Sequence, residues 1–250
     1  MIKQLLFISL LISSACKSPQ EFSSPIAAQN QNWRLAFDSA LRLDTFYTEK
    51  AAIFVNDQIY QGEDLINYEL RTLKDKIKGI KYFGSIKLVA HDSLHYFDIG
   101  LYKDKRKDLH AYLIAWNKVN SVWKKELEII HPYDEPSTLN EKKIKAAREQ
   151  WVQLSNSHDH RALIEQSYTA DAIYFNNGKV EKGTEDIVTR YAYMSNPKWQ
   201  ITLTPIQLLS VQENLIYEVG QYKSSGIGHY FILWQQDENG FWKARFDFNF

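Results

Sequence analysis

One segment of this chain is written twice. Residues 47–66 and 168–187 align without a gap at a constant offset of 121 residues, from position 47 to position 168. Each copy predicts a strand, a tight turn, a second short strand and a glycine that leads into a helix. The sequence therefore predicts one fold used twice. The identical pairs include Tyr47 and Tyr168, Thr48 and Thr169, Ala51 and Ala172, Phe54 and Phe175, Asn56 and Asn177, Gly62 and Gly183, and Ile66 and Ile187.

The length of the chain fits this duplication. A chain of 250 residues has room for two compact domains, one for each copy. A polar segment containing Pro132 and Pro136 separates the copies and predicts a boundary. We expect the first domain at residues 31–131, a linker at 132–138 and the second domain at 139–250.

Composition excludes one class of function. The 30 basic and 30 acidic residues cancel, so no net charge attracts nucleic acid or an acidic membrane surface. Nucleic acid is therefore not an expected partner.

The N-terminus has the pattern of an export signal. Lys3 precedes an apolar run at residues 5–12, and small residues 13–15 precede Cys16. The apolar run is shorter than the roughly 20 residues of a membrane-spanning helix. Small residues directly before a cysteine resemble the lipobox of bacterial lipoproteins, in which cleavage leaves the cysteine as the lipid-modified first residue.

Cys16 is the only cysteine, so it cannot form a disulfide within the chain, and a lipid anchor explains its presence. The alternative is an ordinary signal peptide with an incidental cysteine. We expect residues 1–16 to be a lipoprotein signal peptide and residues 17–30 to be a flexible tether. The expected location is the bacterial cell envelope, with the protein anchored in a membrane and facing the periplasm or the cell surface.

The order of predicted elements is the same in both copies. Helices come first, a short hairpin and one helix follow, and a run of long antiparallel strands completes each unit. This order indicates an α+β fold in which a sheet packs against its own helices. In the second copy we expect the long strands at residues 199–211, 215–223, 228–236 and 241–248.

The chain resembles the nuclear transport factor 2-like superfamily, and within it the SnoaL-like branch, over both units, about residues 31–130 and 139–250. The resemblance depends on Tyr168-Thr169 followed by Asp171-Ala172, on Gly183 before a helix and on Trp242 in the last strand. It implies two tandem cone-shaped domains, each a curved antiparallel sheet wrapped around N-terminal helices. Such cones serve isomerases, cyclases, dehydratases and hydrolases, and also domains that only bind or dimerise. The first copy departs from the pattern, with Lys50 where the second has Asp171.

One strand predicts how the two units pack. In residues 230–235 one face carries Tyr230, Ile232 and Trp234, and the other carries Phe231 and Leu233. A sheet that is apolar on both faces must be covered on both faces, and the second copy is the nearest cover. We therefore expect an intramolecular pseudo-dimer in a monomeric chain.

Candidate functional residues lie mostly in the second unit. Acid–base chemistry in a cone requires a carboxylate or histidine in apolar surroundings, and Asp171, His229 and Asp247 are the candidates. Each also has a structural interpretation: Asp171 as a cap or turn residue, His229 as a rim residue, and Asp247 as part of a mixed-charge, solvated strand face with Lys243 and Arg245. Aromatic residues are expected to line a ligand site, namely Trp151, Tyr168, Tyr174, Tyr191, Tyr222 and Trp234.

No pattern indicates a metal or a cofactor. His91 with His95, and His158 with His160, are pairs without a third ligand at a convincing spacing, so we expect no metal site. Phosphate-binding loops and nucleophile motifs are absent from the sequence. The leading hypothesis is a lipid-anchored protein that binds a small apolar ligand or a partner. The alternatives are an isomerase-, dehydratase- or hydrolase-type enzyme that uses a pocket carboxylate or histidine, and a purely structural interaction module.

Overall fold

A computed structural model describes residues 26, 29, 32–33, 43–77, 81–104, 106–136 and 141–250. The predicted signal peptide and Cys16 lie outside these residues, as does most of the predicted tether and first helix. Ile26, inside the predicted tether, is buried in the core of the first unit. None of the described helices is both long and apolar enough to span a membrane.

The first unit is a six-stranded sheet with one long described helix. Its strands follow the order β2-β1-β6-β5-β4-β3, and neighbours are antiparallel except β1 and β6, which are parallel. A short 3-10 turn at Asp44–Phe46 leads into the first strand. The elements are β1 (Tyr47–Val55), β2 (Gln58–Gln61), α1 (Gly62–Ile77), β3 (Lys81–Ala90), β4 (His95–Lys103), β5 (Leu109–Val119) and β6 (Val122–Pro132).

The second unit repeats this sheet. Its order is β8-β7-β12-β11-β10-β9, again with one parallel pair, β7 with β12. The identical strand order in both sheets confirms that one fold is used twice. The elements are α2 (Glu141–Asn156), α3 (His160–Ser167), β7 (Tyr168–Asn176), β8 (Lys179–Lys182), α4 (Gly183–Arg190), a 3-10 turn (Ala192–Ser195), β9 (Thr202–Gln212), β10 (Leu215–Lys223), β11 (Ile227–Gln236) and β12 (Trp242–Asn249).

Backbone conformation explains why the duplicated segment keeps its turn residues. Asn56, Asp57, Asn177 and Gly178 all have positive φ angles, between 49° and 76°, as a two-residue hairpin turn of the primed type requires. Gly62 and Gly183 have φ angles of 75° and 76° at the start of the next helix, a conformation that favours glycine.

The two sheets pack against each other through one face each. Phe54 lies 5.1 Å from Phe246, and Phe97 lies 5.7 Å from Phe248, between ring centroids. The opposite face of each sheet packs against the helices of its own unit. On β11, Tyr230, Ile232 and Trp234 belong to the second unit's own core, whereas Phe231 and Leu233 belong to the shared one. The predicted burial of both faces is confirmed.

The core between the two sheets predicts the oligomeric state of the second unit when it is expressed alone. Residues 139–250 expressed without the first unit are expected to self-associate, because Phe231, Leu233, Phe246 and Phe248 would face water. Size-exclusion chromatography with light scattering measures this, with the full chain as control. Leu233→Lys in the isolated unit should shift the population towards monomer. A soluble monomer from the unmodified fragment would contradict the packing described here.

Candidate functional site

A β-bulge in β12 determines which residues enter the core of the second unit. Leu233 pairs with Phe246 and Trp234 pairs with Ala244, so Arg245 is one extra residue on this strand. The extra residue reverses the alternation of faces. Ala244 and Asp247 therefore lie on the same side of the sheet although they are three residues apart. The interpretation of Asp247 as a residue of a solvated strand face is therefore wrong, because Asp247 is only 3% exposed.

Asp247 is bonded to two tyrosines. Tyr168 Oη donates to Asp247 Oδ2 at 2.6 Å, and Tyr191 Oη donates to the same oxygen at 2.5 Å. Trp151 Nε1 donates to Tyr168 Oη at 3.1 Å. Asp247 Oδ1 receives no hydrogen bond from any residue in the described part of the chain. One oxygen of this carboxylate is thus held by the protein, and the other is left as an acceptor.

Burial sets the protonation of this group. Removal from water raises the pKa of Asp247 to about 6, while the hydrogen bonds from Tyr168 and Tyr191 act in the opposite direction. Burial, followed by the nearby Asp247 charge, raises the pKa of Tyr168 and of Tyr191 well above the usual value. At neutral pH the site therefore holds a carboxylate and two neutral hydroxyl donors.

A second buried carboxylate, which the sequence reasoning missed, lies on β10. Glu218 is fully buried and accepts from Arg148 Nη1 at 2.7 Å, Tyr230 Oη at 2.6 Å and Trp234 Nε1 at 3.1 Å. Burial raises its pKa, and the Arg148 charge opposes that shift. Glu218 pairs with Ile232, which pairs with Asp247, so the two acids share a face roughly 10 Å apart between Cα atoms.

The first unit repeats this row of residues. Asp98 pairs with Ile114, which pairs with Glu128, in the same register across β4, β5 and β6. Tyr47 Oη donates to Glu128 as Tyr168 does to Asp247. A shift in the β5–β6 register makes Glu126 the counterpart of Arg245. The duplication therefore extends to an interior pair of acids.

One difference between the two interiors lies beside the acid of the last strand. Lys125 pairs with Tyr47 in the first sheet, and Ala244 pairs with Tyr168 in the second. Lys125 is fully buried, and its Nζ lies 2.8 Å from Glu128 Oε1 and 3.6 Å from the centre of the Trp33 ring. The first unit thus neutralises its acid with its own ammonium group, whereas in the second unit alanine takes that place.

Comparisons with known proteins give likenesses to solved structures. An NTF-2 like protein of unknown function from Shewanella oneidensis matches at 14% identity and a TM-score of 0.40, over 44% of this chain and 98% of that protein. A ketosteroid isomerase-like protein from Erwinia carotovora matches at 15% identity and a TM-score of 0.36, over 44% and 96%. Both likenesses concern the fold alone. No family model and no curated protein matches the chain.

Most of the predicted aromatic residues lie in the core that holds Asp247. Tyr174 is buried there with its ring centroid 5.3 Å from that of Tyr191, and Trp234 faces Glu218. Tyr222 is only half-buried, packs at the margin of this core and donates to the Phe250 backbone oxygen at 3.1 Å.

Asp171 and His229 do not join this core. Asp171 is exposed and forms an ion pair with Arg245 Nη2 at 3.2 Å, so it anchors the bulge residue. His229 is buried, but it alternates with Tyr230 and so points to the other unit, where its Nδ1 lies 3.1 Å from Nδ1 of His91. Of the three predicted acid–base candidates, Asp247 alone occupies the interior of the second unit.

Proposed function

We propose that the second unit binds a small, largely apolar molecule that carries a positively charged amino group, with Asp247 as its polar contact. The observation that supports this proposal is that Ala244 in the second interior stands where the first interior has Lys125.

The first unit illustrates the chemistry of such a site. A buried ammonium group requires a charged partner and gains further stabilisation from aromatic faces. Lys125 has both, since Glu128 accepts its hydrogen bond and Trp33 lies beneath it.

The second unit has a buried carboxylate and aromatic rings around it, as the first unit does, but no lysine at the position of Lys125. Asp247 Oδ1 is available as an acceptor, and the buried rings of Trp151, Tyr168 and Tyr191 surround the carboxylate. A ligand amine would supply the positive charge that the first unit provides from its own chain. The apolar remainder of the ligand would contact residues of the second core such as Ile232.

A panel of small molecules tests the head group. Apolar amines should raise the Tm of the full chain, whereas carboxylic acids of matched size should not, and neutral alcohols should have a weaker effect. Ala244→Lys should abolish the amine effect, because the new side chain would occupy the site as Lys125 does in the first unit. Lys243→Ala, on the same strand but outside the core, is the matched control. Equal shifts with acids and amines, or amine binding retained in Ala244→Lys, would contradict the proposal.

The pH dependence of binding gives a second prediction. Amine affinity should rise as pH increases through about 6, because Asp247 must be ionised to pair with an ammonium group. Below that pH, affinity should fall about tenfold per pH unit. Isothermal titration calorimetry between pH 5 and pH 8 measures this. Asp247→Asn should give weak binding with no such pH dependence, and a steep dependence that persisted in the variant would assign the titration to another group.

Proton-transfer catalysis of the isomerase type is the second candidate function. A carboxylate with a pKa of about 6 and one unbonded oxygen has the properties of a general base. Deuterium exchange from solvent into apolar ketones, followed by mass spectrometry, would detect such a reaction, and Asp247→Asn should abolish it. Both tyrosine hydroxyls donate to the carboxylate itself. For this reason binding is the first proposal.

Membrane attachment through Cys16 is also proposed, on the basis of the N-terminal sequence. The acyl chains would provide the membrane affinity that the neutral chain lacks, and would place the protein in the bacterial envelope. Cys16→Ser should move the protein from the membrane fraction to the soluble fraction, measured by immunoblotting after ultracentrifugation. Ser18→Ala is the control and should remain with membranes. Membrane retention of Cys16→Ser would overturn the anchor.

A further inference from the structure

The turn between β3 and β4 gathers three groups that can bind a metal. His91, Asp92 and His95 each offer one ligand atom, and these atoms all lie within 4.8 Å of one another. His95 Nδ1 is 3.0 Å from both carboxylate oxygens of Asp92, and His91 Nε2 is 3.8 Å from Asp92 Oδ2. The sequence prediction considered only the two histidines, and the structure shows that the carboxylate of Asp92, the residue after His91, lies near both rings.

A fourth residue, from the other unit, orients the first histidine. His229 Nδ1 lies 3.1 Å from His91 Nδ1, so one of the two nitrogens donates to the other. The separation of 3.8 Å between His91 Nε2 and Asp92 is too long for a hydrogen bond. The proton of His91 is therefore better placed on Nδ1, from which it donates to His229. In that tautomer the Nε2 lone pair is directed to the same space as Asp92 and His95.

Other contacts fix the remaining groups. Asp92 Oδ1 accepts from the Leu94 backbone N–H at 2.6 Å, which holds the carboxylate in the turn. The Phe250 ring lies 4.7 Å from the His95 ring and 5.4 Å from the His91 ring, between centroids. The turn of the first unit is thus packed against the last residue of the second.

We propose that His91 Nε2, His95 Nδ1 and the Asp92 carboxylate form a binding site for a divalent transition-metal ion such as Zn²⁺, with His229 as a positioning residue. Two imidazoles and one carboxylate suit Zn²⁺, Ni²⁺ or Cu²⁺, whereas Mg²⁺ and Ca²⁺ prefer oxygen ligands. Bonds of about 2.0–2.2 Å in a tetrahedral arrangement place ligand atoms roughly 3.3–3.6 Å apart. The 3.0 Å and 3.8 Å separations already present lie on either side of that range.

The hydrogen bond between His91 and His229 would couple metal binding to the contact between the two units. A metal-bound histidine usually donates its other ring N–H to an acceptor, and that acceptor strengthens metal binding. Here the acceptor belongs to the second unit. Metal binding in the first unit would therefore strengthen a contact between the two units.

The experiment is calorimetric titration of Zn²⁺ into the full chain after treatment with a chelator. One equivalent should bind, and Mg²⁺ should not. His91→Ala and His95→Ala should each weaken Zn²⁺ binding at least tenfold, whereas His160→Ala, which removes a histidine remote from this turn, should not change it. Circular dichroism of each variant confirms that it is folded. No saturable binding of Zn²⁺, Ni²⁺ or Cu²⁺, or binding that persists in both variants, would overturn the site.

His229 is tested separately. His229→Phe removes the acceptor and should weaken Zn²⁺ binding about tenfold, whereas His229→Gln keeps an acceptor oxygen and should restore part of the loss. The absorption spectrum of bound Co²⁺ should change in His229→Phe, because the ring of His91 is no longer held. Unchanged affinity and spectrum in His229→Phe would show that His229 does not position the ligand.

Discussion

Replacing Arg148 with methionine should lower the free energy of unfolding by about 3–5 kcal/mol. Arg148 forms the only ion pair of Glu218 among the described residues, at 2.7 Å, and the Glu218 side chain is completely buried. Tyr230 and Trp234 would still donate to the carboxylate, but its negative charge would have no counterpart inside the protein. Urea denaturation at pH 7, followed by circular dichroism, measures the change.

Arg161 provides a matched control. It lies on α3 and pairs with Glu185 at 2.8 Å, but both side chains are about half exposed or more, so Arg161→Met should change stability far less than Arg148→Met. Adding Glu218→Gln to Arg148→Met should recover part of the loss, because the variant then buries an amide instead of a charge. Equal effects of Arg148→Met and Arg161→Met would show that the buried pair does not hold α2 to the sheet.

The second large effect is expected at Asp247, where Asp247→Asn should stabilise the protein by about 3 kcal/mol above pH 7. Burial raises the pKa of Asp247 in the folded state to about 6, above its usual value of 3.8. The stability that the protonated acid contributes is therefore complete below about pH 4 and is lost as pH rises through 6. Asparagine has no such titration, and its side-chain oxygen still accepts from Tyr168 and Tyr191.

Urea denaturation at pH 4, 5, 6 and 7 separates these contributions. The stability of Asp247→Asn relative to the unsubstituted chain should increase from pH 4 to pH 6 and then level off. Glu238→Gln, at an exposed carboxylate in the turn between β11 and β12, is the control and should leave stability nearly unchanged. If Asp247→Asn is no more stable at pH 7, the two tyrosine hydrogen bonds compensate for burial. A stabilising variant that no longer binds amines would show that the carboxylate is retained for function.

The duplicated segment predicted much of the fold. Turn residues such as Asn56 and Asn177, and the glycines at 62 and 183, correctly placed the hairpins and the helices that follow them. The alternation of Tyr230 and Phe231 correctly predicted a sheet buried on both faces. These features are local or strictly periodic, so the sequence alone carries them.

The positions of the two interior acids, Asp247 and Glu218, could not be predicted from the sequence alone. Strict alternation placed Asp247 with Lys243 and Arg245 on a solvated face, and the bulge at Arg245 reverses that assignment. In the sequence Glu218 resembles a solvent-facing residue of a strand. Its partner Arg148 comes from a helix 70 residues away in the chain, so no local pattern indicates the buried ion pair. One signal was available in the sequence: Asp98 and Glu218 occupy the same place before the matched residues Gly100 and Gly220.

Both partners of the shared sheet interface belong to one polypeptide. Their association is therefore intramolecular, and it should not weaken on dilution as that of two separate subunits would. In a symmetric homodimer every substitution appears twice, but here a change in one copy leaves the other untouched. Covalent fusion thus permits the asymmetry seen between Lys125 and Ala244: one interior can be filled permanently while its twin remains free to specialise.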